Sequence, residues 1–151
     1  EHLLLNAAMQ SIDTLNTSVF IKWIKDSYLS DIPQKLFWID GSGLSRYNRF
    51  TPQDVIYILQ KLYKENDKTR LFSFFNKIET PASIGTQKFK ENPLIYAKSG
   101  SMSGIYNLSG YIISKNGRVL AYSFMNNNFD VAILDVRSSI NKILNYIVEN
   151  Y

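Results

Sequence analysis

Tyr96-Ala97-Lys98-Ser99-Gly100-Ser101-Met102-Ser103-Gly104-Ile105-Tyr106-Asn107-Leu108-Ser109-Gly110 decides how this 151-residue chain is read. Its first half is a strand candidate whose Lys-Ser-Gly face can hold a carboxylate. An ammonium is a point charge, a hydroxyl can bond a carboxylate oxygen, and a glycine lets another backbone approach a strand closely. Working outward, the apolar runs 105–114 and 118–125 flank Lys115-Asn116-Gly117. Asn-Gly between apolar runs signals a hairpin, because both central residues can take positive φ. Three antiparallel strands are expected, at about 94–101, 106–114 and 118–125. Val136, Ile140, Ile143, Leu144 and Ile147 then form a helical stripe able to cover one face of that sheet.

Upstream the period is helical. Residues 1–10 and 17–29 read as core helices, the second through Phe20, Trp23, Ile24 and Tyr28. Pro33 interrupts the pattern, and residues 35–39, Lys-Leu-Phe-Trp-Ile, form a short strand candidate ending at Asp40-Gly41-Ser42-Gly43. Thr51-Pro52-Gln53-Asp54 places a capping hydroxyl, a proline at the first helical position and an acid in the first turn ahead of Val55, Ile58, Leu59 and Leu62. Asp67 caps a further helix through Leu71, Phe74 and Phe75, before Pro81 and Gly85 open a loop.

Asp40-Gly41-Ser42-Gly43-Leu44-Ser45-Arg46-Tyr47-Asn48, together with Lys-Ser-Gly-Ser-x-x-Gly-x-Tyr-Asn-Leu-x-Gly over 98–110, resembles the penicillin-binding D-alanyl-D-alanine carboxypeptidases of class C, the low-molecular-mass serine enzymes of the bacterial envelope. The resemblance covers nearly the whole chain but only the C-terminal part of such an enzyme. It implies an α/β (α+β) transpeptidase fold of the β-lactamase type, an antiparallel sheet flanked by helices. Residues 1–151 would be the C-terminal part of that catalytic domain. It also implies roles: Lys98 for electrostatics and proton relay, the Ser101 amide as oxyanion donor, Ser99 and Gly100 for substrate binding. Serine stands at 99 where the family more often has threonine, which keeps the hydroxyl and loses a methyl. The upstream Asp40 segment is read as structural, its glycines permitting a tight turn and Asp40 and Ser42 satisfying turn amides.

The Ser-x-x-Lys nucleophile and the Ser-x-Asn motif of these enzymes are expected ahead of Glu1. Ser11 and Ser18 are followed three places on by Thr14 and Ile21, and Ser139 with Lys142 falls in the last helix. Gly41-Ser42-Gly43 lacks the GxGxxG spacing of a nucleotide loop, and Asp40 and Leu44 rule out a Gly-x-Ser-x-Gly elbow. His2 is the single histidine, which leaves no Ser-His-Asp triad or multi-histidine metal site within the chain.

Composition sets the remaining bounds. With no cysteine there is no disulfide, thiolate metal site or cysteine nucleophile. Seventeen Lys and Arg against 13 Asp and Glu give +4, dispersed at Lys22, Lys25, Lys61, Lys64, Lys68, Arg70, Lys88 and Lys90 as on solvated helix faces, so nucleic acid is not an expected partner. No apolar run approaches the ~20 residues a membrane helix needs. The expected function is serine D-Ala-D-Ala carboxypeptidase action through an acyl-enzyme, extending to crosslinked peptides, in the periplasm or cell envelope. No cofactor or metal is expected. Peptidoglycan stem peptides, β-lactams and the N-terminal part of the same enzyme are the expected partners, and the 151 residues alone are expected to be inactive. The alternatives are a noncatalytic peptidoglycan-peptide binding protein on the same scaffold, and a related β-lactamase or esterase. Carboxypeptidase against endopeptidase preference, stem-peptide chemistry and oligomeric state are not encoded in any motif.

Overall fold

In the computed structural model, which describes residues 1–78 and 94–151, the elements run α1 (His2–Ile12), α2 (Thr17–Tyr28), α3 (Pro52–Glu65), α4 (Lys68–Ser73), β1 (Asn76–Ile78), β2 (Leu94–Met102), β3 (Ile105–Ile113), β4 (Val119–Asn127) and α5 (Ile133–Asn150). The loop expected around Pro81 and Gly85 lies outside the described residues. Contacts divide the chain into two units, Glu1–Tyr57 and Ile58–Tyr151.

In the first unit, Asn16 caps α2 by accepting a hydrogen bond from the Val19 amide at 3.1 Å. Thr51 and Asp54 form a reciprocal cap at the start of α3: Asp54 Oδ2 accepts from the Thr51 amide and hydroxyl, both at 2.8 Å, and Thr51 Oγ1 accepts from the Asp54 amide. The strand expected at 35–39 reduces to a single bridge, Phe37 to Arg49. Its lone neighbour gives it no ladder to extend, and the Arg49 guanidinium lies 4.3 Å from the Phe37 ring centre.

The second unit is a four-stranded antiparallel sheet in the order β1-β2-β3-β4. Three of these strands were expected, within two residues of their observed ends; β1 was missed because three residues, Asn-Lys-Ile, carry no period. Side chains alternate between the sheet's faces. Ile95, Ala97, Tyr106, Leu108, Ile112 and Tyr122 pack against Ile140, Leu144 and Val148 of α5. On the other face Tyr96 stacks on Phe72 of α4 at 4.3 Å, and the buried Tyr111 meets Phe72, Phe75 and Tyr63 of α3. Tyr111 donates its hydroxyl to the Leu59 carbonyl at 2.7 Å, and burial pushes its pKa up to about 12. Helices therefore flank the sheet on both faces. The α5 stripe is as expected except for Ile143, which is 47% exposed.

The β3–β4 turn differs from a two-residue Asn-Gly turn. Ser114 N donates to Arg118 O, Gly117 N donates to Ser114 O, and Gly117 alone takes positive φ, at 73°. This is a three-residue loop, Lys115-Asn116-Gly117, in which a turn is followed by a left-handed glycine. Lys115 cannot be dropped from it because the ladder resumes only at the Ile113–Val119 pair.

Candidate active site

β2 carries all four residues singled out by sequence. Lys98 pairs with Ser109, Ser99 with Leu108, Gly100 with Asn107 and Ser101 with Tyr106 of β3. On its other side β2 pairs with β1 only through Ile95, Tyr96 and Ala97. From Lys98 onward, among the described residues, that edge of β2 has no strand partner. Its backbone donors and acceptors point outward in a row.

Alternation divides the four side chains. Ser99 and Ser101 share the α5 face with Ala97, whereas Lys98 lies on the face of Tyr96 and α4. Lys98 is exposed, and its ammonium folds back to donate to the Ser99 carbonyl at 2.6 Å. Ser99 lines a cavity of about 270 Å³; Lys98 does not. The two glycines of the motif differ in kind. A Cβ on Gly100 would meet no atom within 4 Å, so the fold places no demand for glycine there. A Cβ on Gly110 would lie 1.9 Å from the Tyr96 carbonyl oxygen. Gly110 lets β2 and β3 approach, and Gly100 places no side chain on a stretch of edge that has no described neighbour.

Tyr106 and Asn107 hold the far end of the sheet together. Asn126 Nδ2 donates to the Tyr106 carbonyl at 3.0 Å, and Asn107 Oδ1 accepts from the Asn126 amide at 3.3 Å. The side chains of Ser109 and Ser123 meet at 2.9 Å across β3 and β4, behind Lys98. Asn107 and Ser109 of the motif thus tie β3, the strand paired with the lysine's, to β4.

The Asp40 segment, in the other unit, is a self-bonded loop. Asp40 Oδ1 accepts from the Ser42 amide at 3.0 Å and the Ser42 hydroxyl at 2.8 Å, and Ser42 Oγ accepts from the Leu44 amide. These bonds, the Ser42 hydroxyl first, hold the Asp40 carboxyl below the usual carboxylate range. Asn48 bridges the loop's ends: its Oδ1 accepts from the Ile39 and Asp40 amides, and its Nδ2 donates to the Asp40 carbonyl. Leu44 and Tyr47 at the tip are 74% and 73% exposed. Ser139 donates to the Asp135 carbonyl at 2.9 Å on the exposed side of α5, a helix-surface serine.

Arg137 and Asn141 of α5, which no sequence motif marks, line the same cavity as Ser99. Among the described residues no cluster of three or more His, Cys, Asp or Glu is placed to hold a metal. Among them, too, no helix is long and apolar enough to cross a membrane.

Residues 33–147 match the model of the D-Ala-D-Ala carboxypeptidase 3 (S13) family. The chain is 31% identical over 103 residues to D-alanyl-D-alanine carboxypeptidase DacB of Haemophilus influenzae, covering 66% of this chain and 22% of that protein. It is 28% identical over 124 residues to penicillin-sensitive carboxypeptidase A of Dictyostelium discoideum, covering 75% of this chain and 24% of the relative. The chain therefore spans about a quarter of the length of these relatives. The crystal structure of penicillin binding protein 4 from H. influenzae, complexed with a β-lactam, superposes with a TM-score of 0.70 at 22% identity, over 94% of this chain and 37% of that one. A second crystal structure of that protein gives 0.67 at 23%, over 87% and 31%. At those identities the likeness is one of fold: the mixed α+β arrangement described above.

Proposed function

Because this chain belongs to the D-Ala-D-Ala carboxypeptidase 3 (S13) family, we propose that it is the C-terminal part of the catalytic domain of a serine D-Ala-D-Ala carboxypeptidase of the cell envelope. The observation that carries this reading is the edge of β2 from Lys98 to Ser101, which has no strand partner among the described residues. An extended peptide adds to such an edge as another strand, with main-chain hydrogen bonds fixing its register. Gly100, with open space where a side chain would stand, lets the peptide backbone come close.

The chemistry divides between this edge and a serine contributed by the rest of the polypeptide. Ser99 Oγ bonds the terminal carboxylate. The serine oxygen attacks the carbonyl of the penultimate D-alanine, and the Ser101 N–H donates to the oxyanion that forms. The C–N bond breaks, terminal D-alanine leaves with a proton, and water hydrolyses the ester. Lys98, whose only described bond is to its neighbour's carbonyl, swings from that contact to the serine side of the cleft. There its charge favours the deprotonated oxygen and relays the proton. β-Lactams, with a carboxylate beside a reactive amide, take the same place. The chain alone lacks the nucleophile and gives no turnover.

The complete polypeptide is expected to release D-alanine from a peptide ending in D-Ala-D-Ala, with penicillin abolishing the release. Binding of that peptide with no D-alanine released over hours, at enzyme concentrations that label fully with penicillin, contradicts the reading. It would favour a noncatalytic peptide-binding role instead.

A further inference from the structure

We propose that Arg137 and Asn141 complete an anion subsite with Ser99, on the α5 face of β2, and that this subsite receives the free carboxylate of the D-alanyl terminus. The proposal deepens the carboxypeptidase reading and rests on it. The cavity of about 270 Å³ beside Ser99 is bounded by Tyr106 and Leu108 of β3 and by Arg137 and Asn141 of α5. Among the described residues no acidic side chain lines it. Among the described residues no ion pair involves Arg137, the one described pair being Lys22 with Asp26. A cavity whose described polar lining is the Arg137 guanidinium, the Ser99 and Tyr106 hydroxyls and the Asn76 and Asn141 carboxamides, with no described carboxylate among them, suits an anion of a few atoms.

The helix and the sheet both aim these groups. Arg137 and Asn141 are four residues apart on α5, hence on one face. Asn141 is buried, at 8% exposure, a polar side chain set at the cavity wall. The Arg137 guanidinium carbon sits 5.0 Å from the centre of the Tyr106 ring. Cation–π attraction holds the guanidinium over that ring, and a planar guanidinium can meet a carboxylate with two parallel hydrogen bonds. Tyr106 is in turn the cross-strand partner of Ser101. The guanidinium therefore stands over the pair that carries the oxyanion donor, one alternation along from Ser99.

The arrangement separates two cations. Lys98 is on the α4 face of β2, and Arg137 lies on the α5 face together with the Ser99 side chain. Lys98 serves the reacting bond, and Arg137 serves the carboxylate. Selection of a free C-terminus is then a property of α5 as much as of the Lys-Ser-Gly strand.

The test uses the complete polypeptide and two peptides ending in D-Ala-D-Ala, one with a free carboxylate and one with a terminal amide. Wild-type enzyme is expected to prefer the free acid in kcat/KM. Arg137→Gln lowers kcat/KM for the acid by about 10–100-fold, the worth of one hydrogen-bonded charge, mainly through KM. The amide peptide changes less than about twofold, so the preference collapses, and Arg137→Lys restores part of it. An Arg137→Gln enzyme that keeps the wild-type preference overturns this inference alone. Wild-type enzyme that releases neither D-alanine from the acid nor D-alaninamide from the amide overturns the carboxypeptidase reading, and this subsite with it.

Discussion

Lys98→Ala in the complete polypeptide is expected to lower the rate of acylation by a fluorescent penicillin by about 10²–10³-fold, the cost of removing the charge proposed to serve the reacting centre. The folded state does not change measurably. Lys98 is exposed and its one described hydrogen bond is to the carbonyl of the next residue, so alanine leaves no buried group unpaired and no cavity. Its cross-strand partner Ser109 keeps its contact with Ser123. A thermal midpoint within about 2 °C of wild type, as for other surface substitutions, separates lost chemistry from lost structure. Unchanged penicillin labelling would falsify the role given to this lysine.

Gly110→Ala acts through the opposite channel. The new Cβ would sit 1.9 Å from the Tyr96 carbonyl oxygen, 2.9 Å from its carbonyl carbon and 3.2 Å from the Ala97 Cα. All three are backbone atoms, so no rotamer change relieves the overlap. Gly110 also has φ of 157°, which an L side chain rarely adopts. β2 must shift away from β3 at the Ala97–Gly110 pair, the step before Lys98. A loss of at least about 3 kcal/mol is expected, read from denaturant unfolding of the complete polypeptide, with penicillin labelling falling in parallel. Gly100→Ala is the contrasting member: open space around it keeps stability within about 0.5 kcal/mol, while the methyl obstructs the substrate edge and slows acylation. Equal stabilities of the two variants would contradict the separate duties assigned to these glycines.

Much of this was legible because short-range physics wrote it. Thr51-Pro52-Gln53-Asp54 declares a helix start through its own hydrogen bonds, and Asp67 caps α4 by accepting from the Arg70 amide. Apolar runs on either side of Asn116-Gly117 marked β3 and β4, and the Lys-Ser-Gly segment marked β2. What depended on distant partners was not legible. Residues 35–39 have strand composition but find only the Phe37–Arg49 bridge. β1 has almost no pattern of its own and exists because β2 offers it three residues of edge. Asn116-Gly117 correctly announced a hairpin, yet loop length was set by the Ile113–Val119 register rather than by the dipeptide.

The candidate site divides in the same way. Lys98, Ser99, Gly100 and Ser101 are contiguous, so a motif names them together. Arg137 and Asn141 lie about forty residues away, on a helix whose apolar stripe is the only feature its sequence advertises. Only the packing of α5 on β2 and β3 brings them beside Ser99. Gly100 and Gly110 look alike in a motif; the space around each Cα separates them.

The measurement that bears most directly on the central claim is the crystal structure of the complete polypeptide after reaction with benzylpenicillin. The expected adduct is an ester to a serine outside these 151 residues, its carbonyl oxygen within about 3 Å of the Ser101 amide nitrogen. The penicillin carboxylate would lie in hydrogen-bond reach of Ser99 Oγ, along the Lys98–Ser101 edge of β2. An adduct seated away from the Lys98–Ser101 edge, or a serine ester whose carbonyl oxygen points away from that amide, contradicts it.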